Sequence, residues 1–225
     1  MKLLASILIL LLSISISAQN ELNKTVGEFS ELKVYDLIQV ELIKSDVDRV
    51  VITGKNKHKV LVNNKNGTLK IKMKFEEAFD GGNTKVTLYY TNIDVIDGNE
   101  GAKIYSNDVI EQFEIDLNAQ EGSEIKVKVN VKYINIRAVT GADVYTSGIA
   151  KNQDISIYTG GDYNGKELKT EYTDVSIRAA GEAYIFATKQ VEAKVRAGGE
   201  IYIYGNPEQV TESKVLGGSI KRIED

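Results

Sequence analysis

The second half of the chain repeats itself, and this constrains the fold more than any other feature. Aligning its turn residues gives Gly101, Gly122, Gly141, Gly160, Ala180, Gly198 and Gly217, at spacings of 21, 19, 19, 20, 18 and 19 residues. Three positions after each anchor stand Ile104, Ile125, Val144, Tyr163, Ala183, Ile201 and Ile220, mostly apolar. Four positions after stand Tyr105, Lys126, Tyr145, Asn164, Tyr184, Tyr202 and Lys221. That alternation marks a strand. A second period-two run precedes the following anchor, as in Ile155-Ser-Ile157, Val175-Ser-Ile177 and Ala193-Lys-Val195. Each unit is therefore two short strands and two turns. A unit of this length with no helical period cannot bury its own apolar face, whereas stacking in register joins the Ile, Val and Ala columns into one interior. The pattern predicts a parallel β-helix. Leucine-rich repeats share the unit length, but their Leu and Asn consensus is missing, and a propeller blade needs a period near about 40 residues. The glycine anchors fit sharp corners that need positive φ or close backbone approach. At about 4.8 Å per coil, six intervals span roughly 29 Å.

The first half, residues 28–97, keeps the strand period less regularly, in Leu32/Val34, Ile38/Val40/Leu42, Val50/Ile52, Val60/Val62, Leu69/Ile71/Met73 and Val86/Leu88/Tyr90. Asn66-Gly67 and Asp80-Gly81-Gly82 separate several of these runs as turns. We read this half as the first coils of the same solenoid, with a protruding hairpin at Asn66-Gly67; residues 98–225 form the regular Gly-anchored coils. No Pro-rich or Ser-rich linker divides the two, so residues 19–225 are expected to form a single domain. The charged tail Lys221-Arg222-Ile223-Glu224-Asp225 is suited to blunt the open edge of the stack.

Residues 1–18 read as a signal peptide: Lys2 is the positive start, Leu3–Ile16 the apolar stretch, and Ser15-Ile-Ser-Ala18 the small-residue cleavage site. No second apolar run reaches membrane-spanning length. With 28 Lys and Arg against 32 Asp and Glu the chain carries −4, and without Lys2 it carries 27 − 32 = −5, which argues against nucleic acid or anionic lipid as a partner. There is no Cys and no Trp, one His and one Pro, so thiolate chemistry, disulfides and a lipid-modified cysteine anchor are excluded.

The opening Phe29-Ser-Glu-Leu-Lys-Val-Tyr-Asp-Leu-Ile-Gln-Val-Glu-Leu42, the strand Val50-Val-Ile-Thr-Gly54, the turn and strand Asn66-Gly-Thr-Leu-Lys-Ile71 and the Gly-anchored coils after residue 98 resemble the bacterial putative auto-transporter adhesin "head GIN" domain family, over about Glu28–Ile223. The resemblance implies an all-β, right-handed parallel β-helix related in shape to pectin lyases, an exported or cell-surface setting, no established catalytic residues and an adhesive role. A self-sufficient autotransporter also needs a membrane barrel of many alternating strands of about ten residues. None follows the repeats here, so surface display is expected to depend on another protein, and a periplasmic, cell-surface or secreted address stays open.

Two columns are candidates for contact. Tyr105, Tyr145, Tyr184 and Tyr202 share one rung position and, if outward, could stack sugar faces or meet a protein partner; they could equally form a cross-strand ladder that only stabilises the sheet. Two residues after the anchors come Lys103, Glu124, Asp143, Asp162, Glu182, Glu200 and Ser219. Asp143, Asp162, Glu182 and Glu200 are the candidate metal ligands, because stacked carboxylates repel and Ca²⁺ with oxygen ligands would relieve them; solvated turn acids are the simpler account, and the nonapeptide of a calcium β-roll is missing. No cofactor is otherwise expected. Arg178 and Arg196 are placed near Glu182 and Glu200 in a surface charge network. His58, in Lys55-Asn-Lys-His-Lys59, reads as a solvated loop residue, and the Gly-Gly pairs read as corners, since no helix N-terminus follows to cradle phosphate. The expected function is a non-enzymatic glycan- or protein-binding scaffold. The alternatives are a carbohydrate-active β-helix enzyme, a polysaccharide lyase or hydrolase, and an envelope component that self-associates as a homo-oligomer.

Overall fold

The structure is a computed structural model that describes residues 21–224; the expected signal peptide lies outside the described residues. About 68% of it is strand and about 3% helix, arranged as a β-solenoid of about 7 turns with about 19 residues per turn. Eight short strands come first: β1 (Leu22–Thr25), β2 (Glu31–Val34), β3 (Gln39–Lys44), β4 (Arg49–Gly54), β5 (Val60–Lys65), β6 (Thr68–Met73), β7 (Thr84–Tyr90) and β8 (Val95–Gly98). Five long ones follow: β9 (Lys103–Gln120), β10 (Glu124–Val139), β11 (Asp143–Tyr158), β12 (Asp162–Ile177) and β13 (Glu182–Val195). Short strands β14 (Glu200–Tyr204), β15 (Gln209–Lys214) and β16 (Ser219–Arg222) end the stack.

Each long strand carries two segments of the coil. The two runs expected from the sequence form one strand, and in β10 pairing to both neighbours resumes across Val131-Lys132-Tyr133, while register shifts interrupt the ladder at Lys126/Lys128, Tyr145/Ser147 and Asn164/Lys169. The first segment of β13 pairs with β14 and the second with β15, so the coil has a front ladder and a back ladder. Inward residues alternate along both. Ile104, Ile125, Val144, Tyr163, Ala183 and Ile201 form one buried column on the front, and Leu117, Ile136, Ile155, Val175 and Ala193 another on the back.

The corner that returns the back ladder to the front explains the anchors. Glu100, Glu121, Thr140 and Thr159 have φ of 51 to 54°, and the following Gly101, Gly122, Gly141 and Gly160 have φ of 68 to 73°. Two consecutive left-handed residues reverse the chain in the least space, and glycine adopts the second at no steric cost.

The N-terminal half is less simple than coils laid down in chain order. β2 lies between β6 and β8, and β3 between β7 and β9, all parallel. The coil made of β2 and β3 is thus covered by the later coil of β6 and β7. Beyond that, β4 runs antiparallel to β7 and to β1, and β5 antiparallel to β6, with Asn66 and Gly67 at φ 53° and 79° closing the β5–β6 hairpin. This end is therefore capped by reversed strands. The opposite end finishes on β15 and β16, where Val215 and Leu216 are 54% and 84% exposed.

Candidate binding face

The front ladder brings both predicted columns into exact register. Lys103, Glu124, Asp143, Asp162, Glu182, Glu200 and Ser219 are successive pairing partners, as are Tyr105, Lys126, Tyr145, Asn164, Tyr184, Tyr202 and Lys221. A separation of two residues puts both columns on the same outward side of the sheet. At one end of this face the rings of Tyr184 and Tyr202 stack with centroids 4.6 Å apart and planes within 3°. The Tyr184 hydroxyl donates to Glu182 Oε2 at 2.7 Å, and the Tyr202 hydroxyl donates to Glu200 Oε2. Lys221 closes the column, its Nζ 2.9 Å from Glu200 and 4.8 Å from the Tyr202 ring centroid.

These contacts shift the proton affinities of the face. Donation to a carboxylate raises the phenol pKa of Tyr184 and Tyr202, since losing the proton would set two anions against each other, while Tyr202 and Lys221 together lower that of Glu200. Asp143 moves the other way. Burial raises its pKa first, with the Asp162 and Glu124 charges adding and Lys103 opposing.

In the middle of the column Asn164 stands between Tyr145 and Tyr184. Its short side chain leaves a hollow of about 140 Å³ walled by those two rings and by Asp143, Asp162 and Glu182. A second hollow, about 250 Å³, shares Tyr145 and Asn164 with the first and reaches toward Lys126 and Lys166. Tyr105 stands farther along the ladder, beside Glu41 and Lys126, apart from the stacked pair. The four candidate metal ligands are in one column, yet among the described residues no group of three or more His, Asp or Glu converges as a metal site. The reason is visible in their partners: Glu182 and Glu200 are turned to the tyrosines, and Asp162 accepts the backbone N–H of Glu182 at 2.7 Å.

A family model described as "Putative auto-transporter adhesin, head GIN domain" matches residues 28–207. The chain belongs to that family. No curated relative matches the sequence. Among solved structures, the head GIN chain is similar to a putative adhesin from Bacteroides fragilis at 19% identity and TM-score 0.84, covering 92% of this chain and 98% of that one. It is also similar to a putative lipid binding protein from Parabacteroides distasonis, at 14% identity and TM-score 0.69 over 92% and 98% of the two chains. A putative adhesin from Parabacteroides merdae gives 14% identity and TM-score 0.68 over 91% and 95%. At these identities the likeness is one of fold.

The head GIN solenoid departs from the expected charge network at Arg178, whose guanidinium lies 5.2 Å from the Tyr158 ring centroid; Glu182 and Glu200 instead take tyrosine and lysine partners. His58 is exposed in a short 3₁₀ turn, Lys57–Lys59. Two groupings escape the sequence reading. Asp116, Asp154, Asp174 and Glu192 form a second outward acid column on the back ladder, with Asn135 between the first two donating to Asp116 Oδ1 at 2.7 Å. Each lies one residue before an inward apolar residue of its strand, so period-two counting on the second strand finds it. The other grouping, Asp36 beside Glu100, has no such signal. It exists because β2 pairs with β8 out of chain order, with Val34 opposite Gly98.

Among the described residues no helix is long and apolar enough to cross a membrane.

Proposed function

We propose that this protein is an exported, non-enzymatic binding scaffold that takes a glycan on the front face, between Tyr145 and Tyr184. The observation that carries this reading is the gap over Asn164. Two coil rises set the backbone positions of Tyr145 and Tyr184 about 9.6 Å apart, whereas a flat ring sandwiched at two carbon contacts needs only about 7 to 8 Å. The surplus suits the thickness of a chair-shaped sugar. Asp143, Asp162 and Glu182 line the same hollow and can accept hydrogen bonds from its hydroxyls. Tyr184 is held from behind by Tyr202 and from the side by Glu182, so its ring loses little freedom when a ligand arrives. The adhesin description of the family supports a surface or extracellular setting. Ca²⁺ is proposed as an optional bridge between the Asp143 and Asp162 carboxylates and a bound sugar.

Glycan-array binding by residues 19–225, with and without Ca²⁺ and alongside light scattering, tests the reading. Retention that falls at least about tenfold in Tyr145→Ala and in Tyr184→Ala, with both variants folded, supports it. New reducing or unsaturated ends in the incubated glycan would identify an enzyme instead, and self-association with no glycan retained would identify a structural assembler.

A further inference from the structure

A second site stands at the N-terminal corner, away from the front face. The turn from β6 to β7 is expanded to ten residues, 74–83, and folds over a hollow of about 460 Å³. Its apolar wall is Tyr35, Met73, Phe75, Ala78 and Phe79. Phe75 and Phe79 are 91% and 61% exposed, whereas Phe29 in the core is 4% exposed. These rings are not on a loose loop. Asp36, 5% exposed and at φ 60°, accepts the backbone N–H of Met73 at 2.9 Å and of Phe79 at 3.2 Å, which ties the start and the middle of the segment to one side chain. Lys59 pairs with Glu77 at 2.7 Å, and the Asn56 amide donates to Asp80 Oδ2 at 2.7 Å. A surface that holds two phenylalanine rings in water by buried hydrogen bonds is built to cover them with something else.

The rim states the charge of that occupant. Lys70 and Lys72 line the hollow from successive outward positions of β6, both exposed, with Glu31 near enough to Lys70 to feel its charge. Two carboxyl groups also line the hollow: Asp36 is buried and accepts the two backbone N–H groups, and Glu100 beside it is half-buried. Burial and the Asp36 charge both raise the Glu100 pKa.

We propose that this hollow binds the single apolar chain of an anionic amphiphile, a long-chain carboxylate, with the chain against Phe75, Phe79 and Met73 and the head group on Lys70 and Lys72. A monomeric ligand fits better than a bilayer surface. The site is concave, it holds the volume of a small ligand, and the chain as a whole is net negative at −4, which opposes docking on anionic lipid.

Calorimetric titration of residues 19–225 with dodecanoate below its micelle concentration tests the proposal, with dodecanol, dodecyltrimethylammonium and phosphatidylglycerol vesicles as comparisons. One-to-one binding of dodecanoate is expected, weakened about tenfold or more in Phe75→Ser and in Phe79→Ser. Both positions are exposed, so both variants should melt as the parent does. The Lys70→Gln, Lys72→Gln double variant should lose dodecanoate affinity by a similar factor and keep its affinity for dodecanol. Absence of saturable binding, equal affinity for the cationic amphiphile, or binding unchanged in the Phe variants overturns the proposal. Binding to vesicles alone also overturns it and assigns the patch to a membrane surface. None of these results bears on glycan binding at Tyr145 and Tyr184, so the two readings fail separately.

Discussion

Tyr163 occupies the inward position held by Val144 in the coil before it and Ala183 in the coil after. It is fully buried. Its phenol oxygen lies 2.5 Å from Thr146 Oγ1 and accepts the Gln153 side-chain amide, whose carbonyl in turn accepts the Thr173 hydroxyl at 3.2 Å. Burial pushes the phenol pKa up, and the full set of partners explains why a polar ring is tolerated inside. Gly165, two residues on, makes the space: a Cβ there would overlap the Tyr163 ring. Tyr163→Phe is expected to cost about 1–3 kcal/mol by orphaning its partners, and Gly165→Ala about 1–3 kcal/mol by overpacking. In a Tyr163→Val background the cost of Gly165→Ala should shrink, since the ring it strikes is gone. A urea-denaturation double-mutant cycle measures this, and strictly additive costs would refute the contact.

The corner turn is the element that repeats, and its first left-handed position is held by Glu100, Glu121, Thr140 and Thr159 in the regular coils. In the last corner that position falls to Leu216, an apolar side chain at φ 57° with 84% of its surface exposed. A left-handed leucine is strained by about 1–2 kcal/mol, which asparagine largely avoids by bonding its own backbone. Leu216→Asn should therefore raise stability by about 1 kcal/mol, read as a shift in denaturation midpoint at constant slope. A drop would mean that Leu216 packs against something the described chain does not show. The glycine spacing made these corners legible, whereas the corner at 74–83 was not. Asp80-Gly81-Gly82 marked a turn, but the two rings it exposes depend on Asp36 reaching in from the β2–β3 turn, far away in sequence.

Across the whole molecule, the acid columns make stability depend on pH in a defined direction. Burial first, and neighbouring carboxylates second, raise the pKa of Asp143, Asp154 and Asp174 from the usual 3.8. A raised folded-state pKa means that the folded chain binds the proton more tightly, so the contribution is fully present below about pH 3.8 and is lost as pH rises through the folded value. Glu31 and Glu200, with lowered pKa, act in the opposite sense. Asp143→Asn and Asp174→Asn are thus expected to raise the melting temperature at pH 7 and to lose that advantage near pH 4; thermal melts across this range decide it. The ends of the solenoid should also differ. Antiparallel strands cap β6 and β7, while β15 and β16 each have one neighbour and carry exposed residues between them. In a stack where each coil contacts only its neighbours, amide exchange should be fastest in β15 and β16 and slowest in β10 to β12. Uniform protection along the axis would count against nearest-neighbour stability.

Read alone, the sequence determined the solenoid, the period and the register of both front columns, because a coil repeat turns sequence separation directly into spatial adjacency: Glu182 must lie beside Glu200 once the corners are placed. The pattern of alternation also decided which side each residue faces. What only the tertiary structure decided is everything that the repeat does not govern. The order of the first coils, the stacking of Tyr184 on Tyr202 rather than apart, the curl of Tyr163 over Gly165 and the meeting of Asp36 with Glu100 all depend on long-range pairing or on rotamers. Local periodicity carries no record of these, because neither a strand's partner across 64 residues nor a ring's χ angle changes which positions along the chain are apolar.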